Sequence, residues 1–594
     1  MLDQRKQQRL RSALPLLLAV LPAIYIGFAI PLYAVDTPLW DEWLIGGYLD
    51  KFSQGTLTVH DLFEQQNEYR QFFPNLIFVA LGWLTEWDVR SWMLTSCLLA
   101  GLVSLAVYHL GKWSLSETPR RAAWCWFLAN LIIFSPVQYE NWLQGQQLVY
   151  FLPIACFTTS LLVASAANLR TGTRFSLCAL ASVVSSFSSA NGMLCWILLL
   201  PVLAWSSSSA ELWRKKWWIA AWLAGFVGTV TLYFHDYHTP LHHDPLALWH
   251  TNPAKIILYF LSTLGRPLAP GRVIFAGSIG FVLLTLFGWC CLRIWKLRAI
   301  STSEMRRLLA WLMLGAYSIL TAVLITLGRL EHDSGRDLAP TRYTTYTLYL
   351  PVALVYLIPM MLGKDSQSFR LFTFRFSKAR VLTSLCVALV VLHLFIYVLG
   401  IRQMSGFRVV ALYSKSCSMF VNVLDDKCLT AQVYPNIDVL KRTINPAERL
   451  GFIRPGLIKS NRVQDIASAQ TPGPNNNGVF QSLVREDDGE YVASGWAKLP
   501  GRDGPADAVL LAYAVDEGPP IIFAIARVNS ERDIVSALLR RGIYGDSRWS
   551  KSFSLGSINP ERAKITAWGF DAYSGKAYKL TGVHAFSDIT APEQ

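Results

Sequence analysis

Residues 14–34 form an unbroken apolar run, long enough for a helix rising about 1.5 Å per residue to cross the roughly 30 Å hydrocarbon core of a bilayer. Comparable runs recur at 89–111, 122–135, 148–168, 175–190, 193–205, 217–235, 273–293, 308–327, 343–362 and 381–400. They predict an α-helical polytopic membrane protein with about eleven transmembrane helices, those at 122–135, 175–190 and 193–205 being short. Two more apolar stretches are too short to span. Residues 73–87 end in Glu86-Trp87-Asp88, and 254–268 are broken by Gly265-Arg266-Pro267. Both read as helices lying along the outer surface.

After Gly400 the pattern changes. Residues 401–470 are mixed and amphipathic and read as a connector, followed by a polar, Pro- and Asn-rich patch at 471–478. From 479 onward short apolar-polar alternations appear at 491–496, 508–513, 521–526, 566–570 and 577–580, punctuated by Gly, Pro, Asp and Asn. That spacing predicts an antiparallel β-sandwich, interrupted by a helix-like insertion at 531–541. The domain plan is therefore a transmembrane domain at 1–400 with a long outer loop at 35–88, a connector at 401–470, and a β-sandwich at 471–594.

Charge orients this plan. The segments assigned inside carry Arg5, Lys6, Arg9 and Arg11; Lys112, Arg120 and Arg121; Arg170 and Arg174; Arg214, Lys215 and Lys216; Arg293, Lys296, Arg298, Arg306 and Arg307; and a last group from Lys364 to Arg380. Their only acids are Asp3, Glu117, Glu211, Glu304 and Asp365. By the positive-inside rule the N-terminus is cytoplasmic and the C-terminal domain lies outside, in the periplasm or extracellular space of a cell whose inner (plasma) membrane holds the helices. The first run is retained rather than cleaved, since Asp36-Thr37-Pro38 is a poor small-residue cleavage site.

Composition agrees: 594 residues are 53% hydrophobic and only 16% charged, with a mean hydropathy of +0.32. A soluble enzyme is excluded. The net charge of +14 is spent in short clusters between apolar runs, so nucleic acid is not the partner it would otherwise suggest. Eight of ten cysteines lie in apolar runs as small hydrophobes. Cys417 and Cys428 lie beyond the last span, where an extracytoplasmic setting allows a disulfide. No Walker, Rossmann or zinc pattern rises above chance.

The polar residues near membrane depth gather on the outer side. Trp40-Asp41-Glu42-Trp43 follows the first span, and Glu68-Tyr69-Arg70 lies in the same loop. The second outer loop holds Gln138, Glu140, Asn141 and Trp142, the third Asn191, the fourth five histidines between His235 and His250, and the fifth Arg329, Glu331, Asp333, Asp337, Arg342 and Tyr343. Acidic side chains at such depth either face solvent or line a working cavity. The histidines share no tight spacing and prolines interrupt them, which argues against a metal site there.

An acidic pair at the end of the first span, a long outer loop with surface helices, and a further acid in the second outer loop make this layout resemble the GT-C superfamily of membrane glycosyltransferases. The run Tyr69-Arg70-Gln-Phe-Phe-Pro74 and Asp88-Val-Arg90 before the second span are similar to the same region of the aminoarabinose and protein mannosyl transferases. The resemblance covers residues 10–400 and lacks the inserted lumenal domain of the protein mannosyl transferases. It implies transfer of a sugar from a polyprenyl-phosphate donor to an extracytoplasmic glycan, lipid or protein acceptor. In such a reaction a carboxylate takes the acceptor proton, and cations stabilise the departing phosphate.

The resemblance assigns Asp41 as base, with Glu42 and Glu140 positioning the acceptor or a divalent cation such as Mg or Mn; no cofactor is otherwise required. Arg329 and Arg342, with Arg70 and Arg266 behind them, are the candidates for donor phosphate. Trp40, Trp43, Glu68, Gln138, Asn141, Trp142, Asn191 and Tyr343 are the candidates for sugar or acceptor binding. The membrane lipid is the remaining partner. Two alternatives are a polymerase or ligase of lipid-linked sugars, and a transporter or flippase, which would bury charges mid-span.

Overall fold

The computed structural model of the chain describes residues 2–238, 252–296, 301–333, 341–362, 368–371, 374–468, 477–486, 489–502, 504–528, 547–554 and 562–586. The chain divides into two compact units, one of Met1–Ala34, Thr58–Phe78 and Arg90–Met404, the other of Val35–Leu57, Val79–Val89 and Ser405–Gln594. The outer loop thus contributes to both, where the sequence plan kept it wholly with the helices.

In chain order the principal helices are α1 (Leu2–Tyr33), α2 (Ile45–Ser53), α3 (Phe72–Leu84), α4 (Arg90–Ser114), α5 (Pro119–Ile133), α6 (Leu148–Ser165), α7 (Thr171–Ser186) and α8 (Leu194–Ala204). They continue with α9 (Ser209–Arg214), α10 (Lys216–Phe234), α11 (Pro253–Gly265), α12 (Val273–Lys296), α13 (Thr302–Asp333), α14 (Tyr349–Leu362), α15 (Lys378–Met419) and α16 (Ile437–Arg449). Among the described residues nine helical segments are long and apolar enough to cross a membrane. The two expected spans missing from that set are α7 and α8, of 16 and 11 residues, shorter than the roughly 20 a crossing needs. The two apolar stretches expected to be too short to span are helices, α3 and α11, of 13 residues each.

The first unit is a helical bundle whose contacts are polar where the chain needs register. Ser104 of α4 donates to Asn130 of α5 at 2.7 Å, and Asn130 donates in turn to the Ala19 carbonyl of α1 at 2.8 Å. In hydrocarbon such interhelical bonds contribute about 0.6–1.7 kcal/mol each, and they fix which faces meet. Elsewhere backbones touch directly. A methyl group on Gly265 would run into the Ala276 carbonyl, and one on Gly280 into the Leu261 carbonyl, so α11 lies against α12 without intervening side chains. Outward faces stay apolar: Leu17, Leu21, Phe28 and Leu32 of α1 and Leu385, Val391, Leu394, Phe395 and Val398 of α15 are exposed.

The second unit begins at the acidic pair. Trp40–Leu44 forms a single 3-10 turn leading into α2. Trp43 is buried and meets Trp87 edge-on at 5.8 Å, while Gly46 admits the Trp87 ring and the Thr443 carbonyl at distances no side chain would allow. The α2 face therefore packs on α16. Further along, Trp83 stacks edgewise between Phe52 and Phe452.

The C-terminal region is β-rich. Its strands are β1 (Gly478–Arg485), β2 (Tyr491–Ala497), β3 (Ala508–Val515), β4 (Ile521–Ala526), β5 (Arg548–Phe553), β6 (Ala563–Asp571) and β7 (Lys576–Ala585). They follow the order β4-β3-β6-β7-β1-β2-β5 in one sheet, antiparallel except where β7 meets β1. A bridge between Val528, just past β4, and Trp549 in β5 brings the two edges together, so the sheet is nearly closed like a barrel. The two packed sheets of the expected sandwich are not seen among the described residues. The interior is filled by Phe480, Leu483, Val509, Leu511, Ile565, Leu580 and Trp549. The expected insertion at 531–541 lies outside the described residues.

The connector covers the exposed edge of β4. Asn461 accepts from Ile522 N at 2.8 Å and Val463 N donates to the Pro520 carbonyl at 3.1 Å. Ile525 is satisfied on both sides: its N–H donates to Asp426 at 3.1 Å, and its carbonyl accepts from the Tyr413 hydroxyl at 3.2 Å. Asp426 also accepts from Cys428 N and from Lys551 of β5. Cys417 and Cys428 form the disulfide that closes this segment, with Cα atoms 6.1 Å apart.

Candidate functional site

In the first unit the candidate residues meet where the loops between α5 and α6 and between α13 and α14 come together. Pro136 and Gln138 form a turn capped by the Ser135 hydroxyl, and Tyr139–Leu143 a short helix. The turn is pinned from outside the loop, since Gly400 leaves room only for Pro136 and the Tyr397 hydroxyl donates to the Phe134 carbonyl at 3.1 Å. Asn141 then donates to the Arg342 carbonyl at 2.8 Å and to the Thr345 hydroxyl at 2.6 Å. The Thr345 hydroxyl in turn donates to Gln138 Oε1 at 2.5 Å. This chain of hydrogen bonds fixes the backbone that carries Arg342.

Arg342 lies over the Tyr343 ring at 5.1 Å. Arg329, near the end of α13, donates to Glu68 at 2.6 Å and to the Tyr69 hydroxyl at 3.1 Å, and its side chain is only 20% exposed. Both arginines act electrostatically on the Tyr150 hydroxyl, as do Tyr69 and Tyr343, so these groups share one neighbourhood. Tyr150 packs against Tyr343 and Tyr346. Glu140 accepts from Tyr139 at 3.2 Å, and Tyr139 lies within the field of Arg266. Arg266 is buried, directly after the Gly265 contact, and donates to the Gly271 carbonyl at 2.8 Å. Two groupings result: Arg329, Arg342 and the Glu68 partner of Arg329 around Tyr150, and Arg266 with Glu140 around Tyr139. The buried Asn141 Oδ1 and Thr344 Oγ1 have no hydrogen-bond partner among the described residues. Buried acceptors without donors are costly in a finished core and suit a site that receives a polar ligand or water.

Several candidates have structural duties instead. Arg70 is buried and gives its guanidinium to the carbonyls of Tyr233, Phe63 and His235, tying the first loop to the end of α10. Trp142 is fully buried between Phe134 and Phe151 and donates to the Ser135 carbonyl, which makes it core rather than a sugar platform. Asn191 is buried and donates to Tyr317 at 3.0 Å, inside the bundle.

In the second unit, Glu42 is completely buried and accepts from Leu39 N at 2.7 Å, closing the cap of its own turn. Trp43 is core for the reason given above. Trp40 is the exposed ring of the motif, held at a φ of +49°. Asp41 is half-buried, and its charge together with burial pushes the Tyr434 hydroxyl above its usual range, burial being the larger cause.

Sequence reasoning missed Tyr69, Tyr139, Tyr150 and Thr345, whose roles depend on which loops meet. Among the described residues no group of three or more His, Cys, Asp or Glu stands close enough to hold a metal ion. Of the histidine loop, His242, His243 and His250 lie outside the described residues, as do Arg336 and Asp337 and the side chains of Glu331 and Asp333. Compared with protein-family models, curated proteins and solved structures, the chain matches none.

Proposed function

We propose that the chain is an integral membrane glycosyltransferase of the GT-C type, moving a sugar from a polyprenyl phosphate to an acceptor on the outer face. The observation that carries this reading is that Arg342, Arg329 with its Glu68 partner, and Glu140 with Arg266 in the field of Tyr139 lie around the meeting of the α5–α6 and α13–α14 loops. In this reading the acceptor oxygen forms its bond to the anomeric carbon as the bond from that carbon to the phosphate oxygen breaks. The electron pair leaves with the phosphate. Arg342, aimed by the Asn141 bond to its own carbonyl, meets that charge. Arg329 is already compensated by Glu68 and serves to orient rather than to neutralise. The acceptor proton goes to Asp41 on the resemblance alone. No step is routed through a metal.

The test uses the full chain purified into nanodiscs, with a panel of polyprenyl-phosphate sugars. Wild type consumes one donor; Asp41→Asn binds it without turnover; Arg342→Ala loses binding by about 10-fold or more, the cost of a charge-assisted hydrogen bond of roughly 1.5–3 kcal/mol. A wild-type protein that binds lipid-linked sugar and never cleaves it, with a suitable acceptor extract present, would favour a transporter and overturn the proposal.

A further inference from the structure

A second cationic cluster stands at the other end of the first unit and is used by nothing described above. Arg306 lies in the first turns of α13 and Arg329 in its last. The 23 intervening steps span about 35 Å at 1.5 Å each, close to the thickness of a bilayer core. Around Arg306 stand Arg174 of α7 and Lys215, between α9 and α10, close enough that each acts on the others electrostatically. The acid within that field is Glu211, 3.4 Å from Lys215.

Glu211 is not simply their counter-ion. Its carboxylate accepts the Ser207 hydroxyl at 2.7 Å and the Ser207 N–H at 2.9 Å, and these bonds, ahead of Lys215, hold its pKa down at about 2. Lys215 is buried and donates to the Trp205 carbonyl at 2.8 Å; burial is the main cause that lowers its pKa, and Arg306 and Arg174 lower it further. The loop that carries it is tied to α13, since the Trp205 indole donates to the Thr302 carbonyl at 3.2 Å. Arg174 makes only two long contacts, both at 3.5 Å, to the Ala164 carbonyl and Thr171. The Nε atoms of Arg174 and Arg306 are buried and donate to nothing among the described residues. Neighbouring Arg307 lies 5.7 Å above the Trp113 ring, and its Nε is also buried and without an acceptor.

Among the described residues Glu211 is the acid that acts on Arg174 and Lys215, and burying cations together is costly in a way that a bound anion relieves. Guanidinium groups whose Nε still seeks an acceptor suit the oxygens of a phosphate, which they take in pairs. Lys216, over Trp213 at 4.2 Å and Trp217 at 5.5 Å, adds a basic and aromatic rim. Trp213 and Trp217 are exposed, as rings at a lipid headgroup boundary are.

We infer that Arg174, Lys215 and Arg306 form an anion site for a phosphate group, at the end of the bundle that the charge pattern assigns to the cytoplasm. The phosphate comes from the headgroup of an anionic lipid or from free phosphate, and the two sources are separable. The full chain in a neutral detergent is melted alone, with phosphatidylglycerol, with phosphatidylcholine and with inorganic phosphate, as wild type and as Arg306→Gln. The Arg306 Nε has no hydrogen-bond partner among the described residues, and a melt of each variant without added anion checks that it folds. Arg174→Gln is the second variant, and Lys112→Gln, a basic residue of the same side outside the cluster, is the control.

A melting shift with phosphatidylglycerol but not phosphatidylcholine, at least halved in Arg306→Gln and Arg174→Gln and kept in Lys112→Gln, supports the site with lipid as the source. An equal shift with inorganic phosphate, lost in the same variants, supports it with free phosphate as the source. No shift with either anion, or a shift that persists in both arginine variants, overturns it.

Discussion

Asp426→Asn is the sharpest test of how the second unit holds its β-barrel. The substitution keeps shape and removes one acceptor and one charge. In the native protein Asp426 accepts four hydrogen bonds: from Cys428 N at 2.8 Å, from Ile525 N at 3.1 Å, and from Lys551 at 3.0 Å on each oxygen. Whichever way the new amide turns, its NH2 faces the Lys551 ammonium and one backbone N–H, donor against donor. Removing one partner of a buried ion pair costs about 3–5 kcal/mol. Lys551 keeps 19% of its side chain exposed and recovers some hydration, which places the loss at the lower end. About 3 kcal/mol is a factor of roughly 100 in a local opening equilibrium. The assay is hydrogen exchange of the Ile525 amide in the full-length protein, read by mass spectrometry on peptides covering 521–526. Exchange there should quicken about 100-fold while peptides from α13 stay unchanged. Adding Lys551→Met should restore most of the protection, because apolar replacement of a whole buried pair is nearly neutral. Exchange within about threefold of wild type in the single variant would refute the claim that this carboxylate holds the edge strand.

Two further outcomes follow from packing. Gly280→Val drives a side chain into the Leu261 carbonyl, so α11 must shift and carry Arg266 with it. Donor turnover should fall by at least 10-fold and overpacking should cost about 1–3 kcal/mol of stability in a thermal melt, whereas Gly288→Val, at a position with open space, should change neither. Cys417→Ser with Cys428→Ser removes a crosslink across a sequence separation of 11 residues. The loop-closure argument gives a loss of about 3 kcal/mol, to be read as a lower guanidinium midpoint for barrel tryptophan fluorescence, with no further drop on adding reductant.

The long helices were legible because runs of about twenty apolar residues are what a bilayer-crossing helix needs, and nine helical segments of that length and composition are found among the described residues. The helices α3 and α11 were legible as apolar stretches too short to span. Strands with a clean alternation, such as Tyr491–Ala497, were equally plain. Arg548–Phe553 was not, since its sequence RWSKSF buries only Trp549 and Phe553 and otherwise carries the polar side chains of an edge. Pairing of β7 with β1 lies beyond any local pattern, and it decides between one curled sheet and two packed ones. At the candidate site, charge nominated Arg329, Arg342, Arg266 and Glu140, which the fold places around the loops described above. It also nominated Arg70 and Glu42, whose charges are consumed by a neighbouring loop and a turn. Residue type shows what a side chain offers, but only the fold shows which carbonyl or amide takes it first.

The single parallel contact in the barrel has a consequence for how the chain is made. Strands β1, β2 and β5 form one antiparallel ladder and β4, β3 and β6 another; apart from the Val528–Trp549 bridge, the two are joined in the sheet by β7, which bonds to β6 on one side and β1 on the other. A ribosome that has released everything up to Asp571 has therefore made two half-sheets with raw edges and no closed interior. Such edges are open to pairing with other chains. Closure of the barrel waits for the last strand, and with it the burial of Phe480 and Leu580. Ribosome pausing or truncation between Asp571 and Lys576 would leave an aggregation-prone chain whose helices are already complete.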